Sequence, residues 1–249
     1  MSKIIMLSKN KGSSQEKNMD RIKVIYEDNH LLVLSKPAGI LTVPDASDAL
    51  SLLDWGKGYL KETRNKPGNV FLGVVHRLDR NVSGIVCFAI TSKAASRLSD
   101  QIRRRQMEKT YFAITSGNPD AEEGCLEHLI LKDKSHNKAI LYTVDEKIKG
   151  AKYSKTCWRL HKRLDSLCFF QLDPVTGRFH QLRAQLASIH CPILGDVKYG
   201  AAFPLPDSSI ALHAFCLRFF HPTKKEKLIL ECPFPDKPPW LDVKSHVNF

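Results

Sequence analysis

Short β-favouring segments follow one another along most of this chain, and few helical patterns interrupt them. Alternating or continuous runs of apolar, branched and aromatic residues predict strands at 23–26, 31–35, 84–90, 110–115, 139–144, 153–160, 166–172, 210–220 and 227–231. Strands that succeed one another without intervening helices pair most simply as antiparallel neighbours. The sequence therefore predicts the α+β class, with a largely antiparallel mixed sheet flanked by helices and loops.

Three segments show the apolar spacing of helices, at 50–59, 92–105 and 178–189. In the second of them, Ala94, Leu98 and Ile102 recur at intervals of four residues, which places them on one helix face. We expect these helices to flank the sheet.

The chain of 249 residues has the length of one large domain or two small ones. Residues 1–20 are rich in lysine and serine and have no amphipathic period, which predicts a flexible basic tail. Since no internal repeat or low-complexity segment follows, we expect a single folded domain over residues 21–249.

Lysine and arginine outnumber aspartate and glutamate by 38 to 26, which gives a formal net charge of +12. An excess of this size is typical of proteins that bind a polyanion, most often nucleic acid. On charge alone, a merely basic soluble protein is an equal alternative.

The longest strongly apolar run, at 84–90, is far shorter than the roughly 18–20 residues that span a bilayer. The N-terminal apolar stretch is also too short for a secretory signal. Seven cysteines are widely scattered without a C-x-x-C pair, which predicts buried free thiols in a reducing compartment. We therefore expect a cytoplasmic protein without membrane attachment.

Several common catalytic motifs are missing from the sequence. It has no phosphate-binding loop, dinucleotide-binding turn, zinc-protease helix or nucleophile elbow. His213 and Cys216 form an H-x-x-C pair, but a metal site would need more ligands at a recognisable spacing. We expect neither a cofactor nor a metal.

The segment around Asp79 carries the most chemistry. A strand-like stretch leads into His76, Arg77, Leu78, Asp79 and Arg80, and a Ser-Gly turn then leads into a buried strand. The two flanking guanidinium groups favour the charged carboxylate, which could act as a nucleophile or base toward a substrate within a polyanion. A structural ion-pair cluster at a strand end is the alternative that these charges alone leave open.

Five motifs along the chain resemble those of the RluA-type RNA pseudouridine synthases. They are K-P-A-G at 36–39, H-R-L-D-R-x-x-S-G at 76–84, K-x-Y at 109–111, T-G-R-x-H-Q-L-R at 176–183 and P-I-L-G-D-x-x-Y-G at 192–200. They occur in the family's order between residue 21 and about residue 235. A single short motif would be weak evidence, whereas five in register are highly specific.

This resemblance implies a pseudouridine synthase-like catalytic domain over residues 21–249. Such an enzyme is an isomerase that breaks the N-glycosidic bond of a uridine in RNA and rejoins the base through C5. It requires no cofactor, metal or energy source, which agrees with the missing motifs. The expected partner is RNA, either tRNA or ribosomal RNA or both.

The resemblance also implies roles for single residues. Asp79 matches the catalytic aspartate, and Arg183 matches the basic residue that pairs with it. Tyr111 matches the active-site tyrosine, which stacks near the base and is implicated in removing the C5 proton. Arg77 matches the residue that fills the gap left when the uridine flips out of its stack. The other expected contacts to substrate are Arg80, Lys36, Arg178, His180 and His76, and for His76 a structural role is the preferred alternative.

Two positions depart from the family pattern. Val82 stands where the family usually has Thr, and Phe179 replaces a small polar residue. Many larger relatives also carry an N-terminal S4-like RNA-binding domain, which residues 1–20 are too short to form. We therefore expect basic side chains of the catalytic domain to hold the RNA phosphates. The candidates are Arg103, Arg104, Arg105, Lys132, Lys134, Lys152, Lys155, Arg159, Lys162 and Arg163.

Two other functions compete with this interpretation. One is a catalytically inactive RNA-binding or RNA-folding factor on the same fold, against which the intact set of Asp79, Tyr111 and Arg183 argues. The other is a glycoside hydrolase, which needs a second carboxylic acid beside Asp79. Asp28, Asp173 and Asp196 are the candidates for that acid, and none has an acid-like context. No extra helix or apolar surface run suggests an interface, so we expect a monomer.

Overall fold

The computed structural model describes residues 19–46 and 49–244. Its strands are β1 (Lys23–Glu27), β2 (Leu31–Lys36), β3 (Gly73–Val74), β4 (Ser83–Ala89), β5 (Glu108–Ser116), β6 (Glu123–Asp133), β7 (Lys138–Tyr142), β8 (Lys152–Leu164), β9 (Leu167–Pro174), β10 (Leu212–Phe220) and β11 (Lys227–Glu231). Its α-helices are α1 (Leu52–Thr63), α2 (Ser92–Arg103), α3 (Gln181–Ser188) and α4 (Trp240–Lys244), and a 3-10 helix spans Val197–Tyr199. The predicted basic tail lies outside the described residues, apart from its last two positions.

The described strands all belong to one sheet. Its order is β1-β2-β4-β10-β5-β9-β8-β6-β7, with β11 pairing with β10 and β3 with β4. Every one of these pairs is antiparallel except the short parallel contact between β4 and β10. The predicted α+β class and largely antiparallel mixed sheet are therefore confirmed.

One apolar core extends from Ile22 near the start of the described chain to Val243 near its end. Its centre is β4, in which all seven residues are buried, as its continuous apolar sequence predicts. A second, smaller cluster joins Ile130 of β6 and Ala139 of β7 to Ala184 of α3 and to Tyr199. This cluster packs the β6–β7 hairpin against the helix that carries Arg183.

The sequence pattern missed β6 altogether. Most side chains of this strand are exposed or only partly buried, and Ile130 is the one in it that is fully buried. Without a buried face a strand shows little alternation in its sequence, so periodicity gives no signal. The third predicted helix is also shorter than expected, because α3 begins only at Gln181, after the left-handed residue His180.

The expectation of seven free thiols is wrong for one pair. Cys125 of β6 and Cys157 of β8 face each other in register and form a disulfide. The missed strand is the reason, because only the pairing of β6 with β8 brings these two cysteines together. The other five cysteines are buried free thiols, as expected: Cys87, Cys168, Cys191, Cys216 and Cys232.

None of the described helices is both long and apolar enough to cross a bilayer.

Candidate active site

Asp79 lies in the loop between β3 and β4, and the loop that follows β2 holds it from both sides. The hydroxyl of Thr42 donates to the carbonyl of Leu78 at 2.8 Å and accepts from the amide of Leu78 at 3.1 Å. On the other side of Asp79, the amide of Gly39 donates to the carbonyl of Arg80 at 2.7 Å. The K-P-A-G motif and the Asp79 motif therefore form one rigid unit.

Lys36 supports this unit from inside the protein. Its side chain is buried, and its Nζ donates to the carbonyls of Pro37, Ile40 and Arg80 at 3.1, 2.8 and 3.1 Å. Burial lowers the pKa of Lys36 to about 7, against the opposing effect of the Asp79 charge. Because its three donors all bind backbone carbonyls, Lys36 positions the Asp79 loop in place of the substrate contact expected from the sequence.

Arg183 of α3 links Asp79 to a second aspartate. Its Nε and Nη2 donate to the two carboxylate oxygens of the buried Asp196 at 2.7 and 2.8 Å. Its Nη1 donates to Oδ2 of Asp79 at 3.1 Å. The pairing of Asp79 with Arg183 is as predicted, across 104 positions of sequence. The bidentate bond to Asp196 fixes the plane of the guanidinium group and so aims its third nitrogen at Asp79.

His180 and Tyr199 approach Asp79 from the same side as Arg183. His180 Nε2 lies 3.5 Å from Asp79 Oδ2, and His180 Nδ1 lies 2.9 Å from the Tyr199 hydroxyl. Burial lowers the pKa of His180 to about 4; Asp79 opposes this shift, and Arg183 adds to it. The imidazole is therefore neutral at physiological pH. Sequence reasoning missed Tyr199, although it stands in the quoted motif at 192–200.

Both contacts to the Asp79 carboxylate converge on Oδ2. Among the described residues no donor binds Oδ1, and the Asp79 side chain is about a third exposed, at 34%. One oxygen is thus held by the protein, while the other makes no hydrogen bond to a described residue. Such a carboxylate can present a single oriented oxygen to a substrate atom.

Tyr111 lies in β5, the central strand between β9 and β10. Burial raises the pKa of its hydroxyl well above the usual range, and the negative charge of Asp79 raises it further. The hydroxyl is therefore protonated at physiological pH. The electrostatic effect of Asp79 on Tyr111 indicates that the fold brings these two predicted residues into the same site.

Two of the predicted substrate contacts are exposed at this site. The Arg77 guanidinium makes no hydrogen bond to another described residue, which leaves its donors available. Arg80 donates through Nε to the Gly39 carbonyl at 3.1 Å and so also fastens the loop. Of the two, Arg77 is the better placed to contact RNA.

The other two predicted contacts are tied to the protein. His76 is buried, and its Nε2 accepts from the Cys87 amide at 3.0 Å. Burial holds the pKa of His76 well below its ordinary value, so the ring is neutral. Its geometry therefore fits the scaffold role that was left open beside an RNA contact. Arg178 is exposed but donates through Nε to the Tyr153 carbonyl at 2.9 Å.

The rest of the T-G-R-F-H-Q-L-R motif anchors α3 to the sheet. The side chain of Gln181 accepts from the amide of Arg178 at 2.9 Å and donates to the carbonyl of Lys155 at 3.0 Å. One turn later, Gln185 accepts from the Thr156 hydroxyl at 2.7 Å and donates to the Leu126 carbonyl at 2.9 Å. These buried amides hold the helix that presents Arg183.

The two departures from the family pattern have different surroundings. Val82 is buried in the main core. Phe179 stacks on the ring of His180 with centroids 3.8 Å apart, and Lys132 Nζ lies 4.3 Å from the centre of the Phe179 ring. Phe179 therefore changes the immediate surroundings of the site, whereas Val82 serves packing.

The other candidate carboxylates are already engaged. Asp28 binds His221 and Tyr26, Asp173 binds Thr110 and Gln171, and Asp196 binds Arg183. None of these three carboxylates is therefore available as the second acid that a glycoside hydrolase needs. Within the described ranges no cluster of three or more histidine, cysteine or acidic side chains could hold a metal ion.

Comparison with known proteins agrees with this site. A family model described as RNA pseudouridylate synthase matches residues 30–188. The RNA pseudouridine synthase YhcT of Bacillus subtilis (strain 168) is 31% identical over 233 residues, which are 93% of this chain and 74% of that protein. Ribosomal large subunit pseudouridine synthase C of Rickettsia felis is 37% identical over 193 residues, 77% of this chain and 60% of that protein.

The fold gives the same result. The solved structure of human RNA pseudouridylate synthase domain containing 4 matches with a TM-score of 0.73 at 25% identity, covering 88% of this chain and 91% of that chain. The chain belongs to the RNA pseudouridine synthase family, whose members are isomerases. The resemblance drawn from the motifs is confirmed, and an inactive RNA-binding factor is not favoured.

Proposed function

We propose that this chain converts specific uridines of ribosomal RNA or tRNA to pseudouridine, with Asp79 as the catalytic residue. The observation that carries the proposal is the partly exposed Asp79 carboxylate, with Oδ2 bound by Arg183 and Oδ1 without a hydrogen bond to a described residue. Ribosomal RNA is favoured, because the curated relatives include ribosomal large subunit pseudouridine synthases.

The reaction needs only a rearrangement of bonds within one nucleotide. The N1–C1′ bond breaks and a C5–C1′ bond forms, while C5 loses its proton to solvent and N1 gains one. In this proposal Oδ1 of Asp79 attacks the nucleotide or assists departure of the base. Arg183 keeps the carboxylate charged and oriented through its bond to Oδ2. The ring of Tyr111 provides a flat surface for the base. Its hydroxyl oxygen accepts the C5 proton as the hydroxyl passes its own proton on to solvent, so the phenol remains neutral.

The glycosidic bond of a stacked base is inaccessible to a side chain, so the uridine must flip out of its helix or loop. Arg77 fits the role of filling the gap, because it is exposed and its guanidinium makes no hydrogen bond to another described residue. A planar guanidinium can stack between the neighbouring bases and bind a phosphate.

The test uses ribosomal RNA and tRNA carrying tritium at uridine C5, incubated with the protein in the presence of a metal chelator. Wild-type protein should release tritium to water, and Asp79→Asn should reduce the release about 10³-fold or more. Asp165→Asn, the same chemical change in the exposed β8–β9 turn, should leave it unchanged. Absence of release by wild-type protein from both RNA pools, despite RNA binding, would contradict the proposal.

We also propose that residues 21–249 act as one catalytic domain, as a monomer in the cytoplasm. The main apolar core, which extends from Ile22 to Val243, supports one domain. The five buried free thiols favour a reducing compartment, whereas the disulfide between Cys125 and Cys157 opposes it. Light scattering at increasing concentration should give the mass of one chain, 28.2 kDa.

A further inference from the structure

His180 has an unusual backbone for its place in the fold. It stands at the N-cap position of α3 with φ at 50° and ψ at 26°, the left-handed region that few residues other than glycine adopt. N-cap residues usually accept a hydrogen bond from the first turn, and His180 makes no such bond. The helix therefore gains nothing from this side chain, and the backbone strain is compensated elsewhere.

The His180 ring is instead fixed in the site. Its side chain is 8% exposed. Phe179 stacks on one face of the ring, and the edge of the Tyr199 ring lies against it, with centroids 5.6 Å apart at 79°. One ring nitrogen contacts the Tyr199 hydroxyl and the other faces Asp79. The ring therefore has little freedom to turn.

The contacts of Tyr199 determine which nitrogen of His180 carries the proton. The amide of Ala139 donates to the Tyr199 oxygen at 2.7 Å, and an amide can only donate. Among the described residues the remaining partner of the hydroxyl is His180 Nδ1, so the phenolic hydrogen is donated to Nδ1. In the neutral ring the proton then lies on Nε2.

The position of Asp79 leads independently to the same tautomer. If Nε2 were unprotonated, its lone pair would point at the Asp79 carboxylate from 3.5 Å and repel it. With the proton on Nε2, the same contact is attractive. The surroundings keep the ring neutral, because burial, Arg183, Lys198 and Lys132 together lower its pKa more than Asp79 raises it.

We infer that Tyr199 and His180 form a positioning pair in which Tyr199 sets the tautomer of His180, and His180 Nε2–H holds Oδ2 of Asp79. The inference rests on the proposed function and deepens it, since it replaces a substrate contact of His180 with a role toward Asp79. Arg183 alone would leave the carboxylate free to rotate about its bond to Cβ. Two donors on Oδ2 define the direction in which Oδ1 points.

Tyr199 contacts both residues that face the Asp79 carboxylate, His180 and Arg183. Its ring also lies 5.0 Å from the centre of the Arg183 guanidinium. The 3.5 Å contact from His180 is longer than a hydrogen bond, and contacts of this kind commonly shorten when the substrate binds. The pair is therefore expected to act on the rate of the chemical step and not on the affinity for RNA.

The first test needs neither RNA nor activity, so its failure is distinct from failure of the proposed function. Nitrogen NMR of the ¹⁵N-histidine-labelled chain at pH 7 should show His180 with a protonated Nε2 and an unprotonated Nδ1. Tyr199→Phe should weaken the preference for this tautomer, because only Asp79 then favours it, and should move the Nδ1 resonance toward that of a nitrogen without a hydrogen bond. A wild-type ring protonated on Nδ1, or an Nδ1 resonance unaffected by Tyr199→Phe, would overturn the inference.

The second test ranks two substitutions. His180→Gln places an amide donor close to the position of Nε2, whereas His180→Asn is too short to reach Asp79 but tolerates the left-handed backbone better. In single-turnover assays at saturating protein, His180→Asn should lower the maximal rate about 10- to 100-fold, and His180→Gln should lower it less. The dissociation constant for RNA should stay within about threefold of wild type for both.

A purely structural role of His180 predicts the opposite ranking, in which the His180→Asn protein is more active than the His180→Gln protein. A substrate-binding role predicts weaker RNA binding with an unchanged maximal rate. Either result would overturn the inference. Tyr199→Phe should lower the rate in the same direction, and its effect combined with His180→Asn should be less than the product of the two single effects.

Discussion

Lys36 is a buried side chain that positions the loop carrying Asp79. Its Nζ joins the carbonyls on both sides of the K-P-A-G turn to the carbonyl of Arg80, next to Asp79. The backbone next to Asp79 therefore depends on an ammonium group that the solvent does not reach.

This burial predicts a pH dependence of stability. Below pH 7 Lys36 is protonated in both the folded and unfolded states. Above about 7 the folded state releases the proton, while the unfolded chain keeps it until near the ordinary pKa of 10.5. Between these two pKa values the unfolded state binds more protons than the folded state. The contribution of Lys36 to the free energy of unfolding therefore rises with pH, by at most about 1.4 kcal/mol per pH unit.

Urea unfolding of wild type and Lys36→Met at pH 5.0, 6.0, 7.5 and 8.5 measures this contribution. The difference in free energy of unfolding between the two should be level below pH 7 and grow above it. Lys57→Met, at an exposed position of α1, should give a difference that does not change with pH. If the free energy of unfolding changed with pH in the same way for wild type and Lys36→Met, the lowered pKa of Lys36 would be contradicted.

At the scale of elements, the parallel contact between β4 and β10 requires a glycine. Gly84 has φ at +126°, and a Cβ built there would lie 2.2 Å from the Ala214 carbonyl oxygen and 2.5 Å from its nitrogen. Because backbone atoms cannot move aside, no other residue fits between the strands. The neighbouring Ser83 hydroxyl binds His213 Nδ1 at 2.8 Å, so the S-G pair of the motif serves the strand junction and not the chemistry.

We predict that Gly84→Ala lowers the free energy of unfolding by about 3 kcal/mol or more, measured by urea denaturation. Gly58→Ala is the matched control, because Gly58 lies within α1 and a Cβ there meets no atom within 4 Å. That control should stabilise the protein by about 0.5–1 kcal/mol, since alanine favours the helix. If Gly84→Ala and Gly58→Ala changed the free energy of unfolding equally, the close approach of Gly84 to the Ala214 backbone would be contradicted.

At the scale of the whole molecule, the net charge of +12 is not spread evenly, because some of the basic side chains form local ion pairs with acidic ones. Of the predicted phosphate contacts, Lys155, Arg159 and Arg163 pair with Glu127, Glu123 and Glu122, and Arg103 and Arg104 pair with Asp100. The remaining candidates make no ion pair with another described residue: Arg105, Lys132, Lys134, Lys152 and Lys162.

RNA binding should therefore weaken strongly with salt, by about tenfold or more between 50 and 200 mM, because bound phosphates release counterions. Lys132 lies beside the site, on the ring of Phe179. Lys132→Gln should reduce the slope of log affinity against log salt by about one. Binding that is unchanged over this salt range would refute an electrostatic grip on RNA.

Much of this protein is determined by local sequence. Side-chain period predicted most strands and helices, and the spacing of five short motifs identified the family and singled out Asp79, Tyr111 and Arg183. Both signals are local. Hydrophobic periodicity depends only on residues that are close in the sequence, and a motif is defined by the residue types within one short segment.

The tertiary structure alone decided what those residues touch. The contact between Arg183 and Asp79 spans 104 positions, and the exposed strand β6, the Cys125–Cys157 disulfide and the burial of Lys36 depend on pairing that no period encodes. Hydrogen-bond partners, burial and the tautomer of a histidine are set by atoms from distant segments. For that reason the sequence predicts which carboxylate is catalytic, and only the fold shows which of its two oxygens makes no hydrogen bond to a described residue.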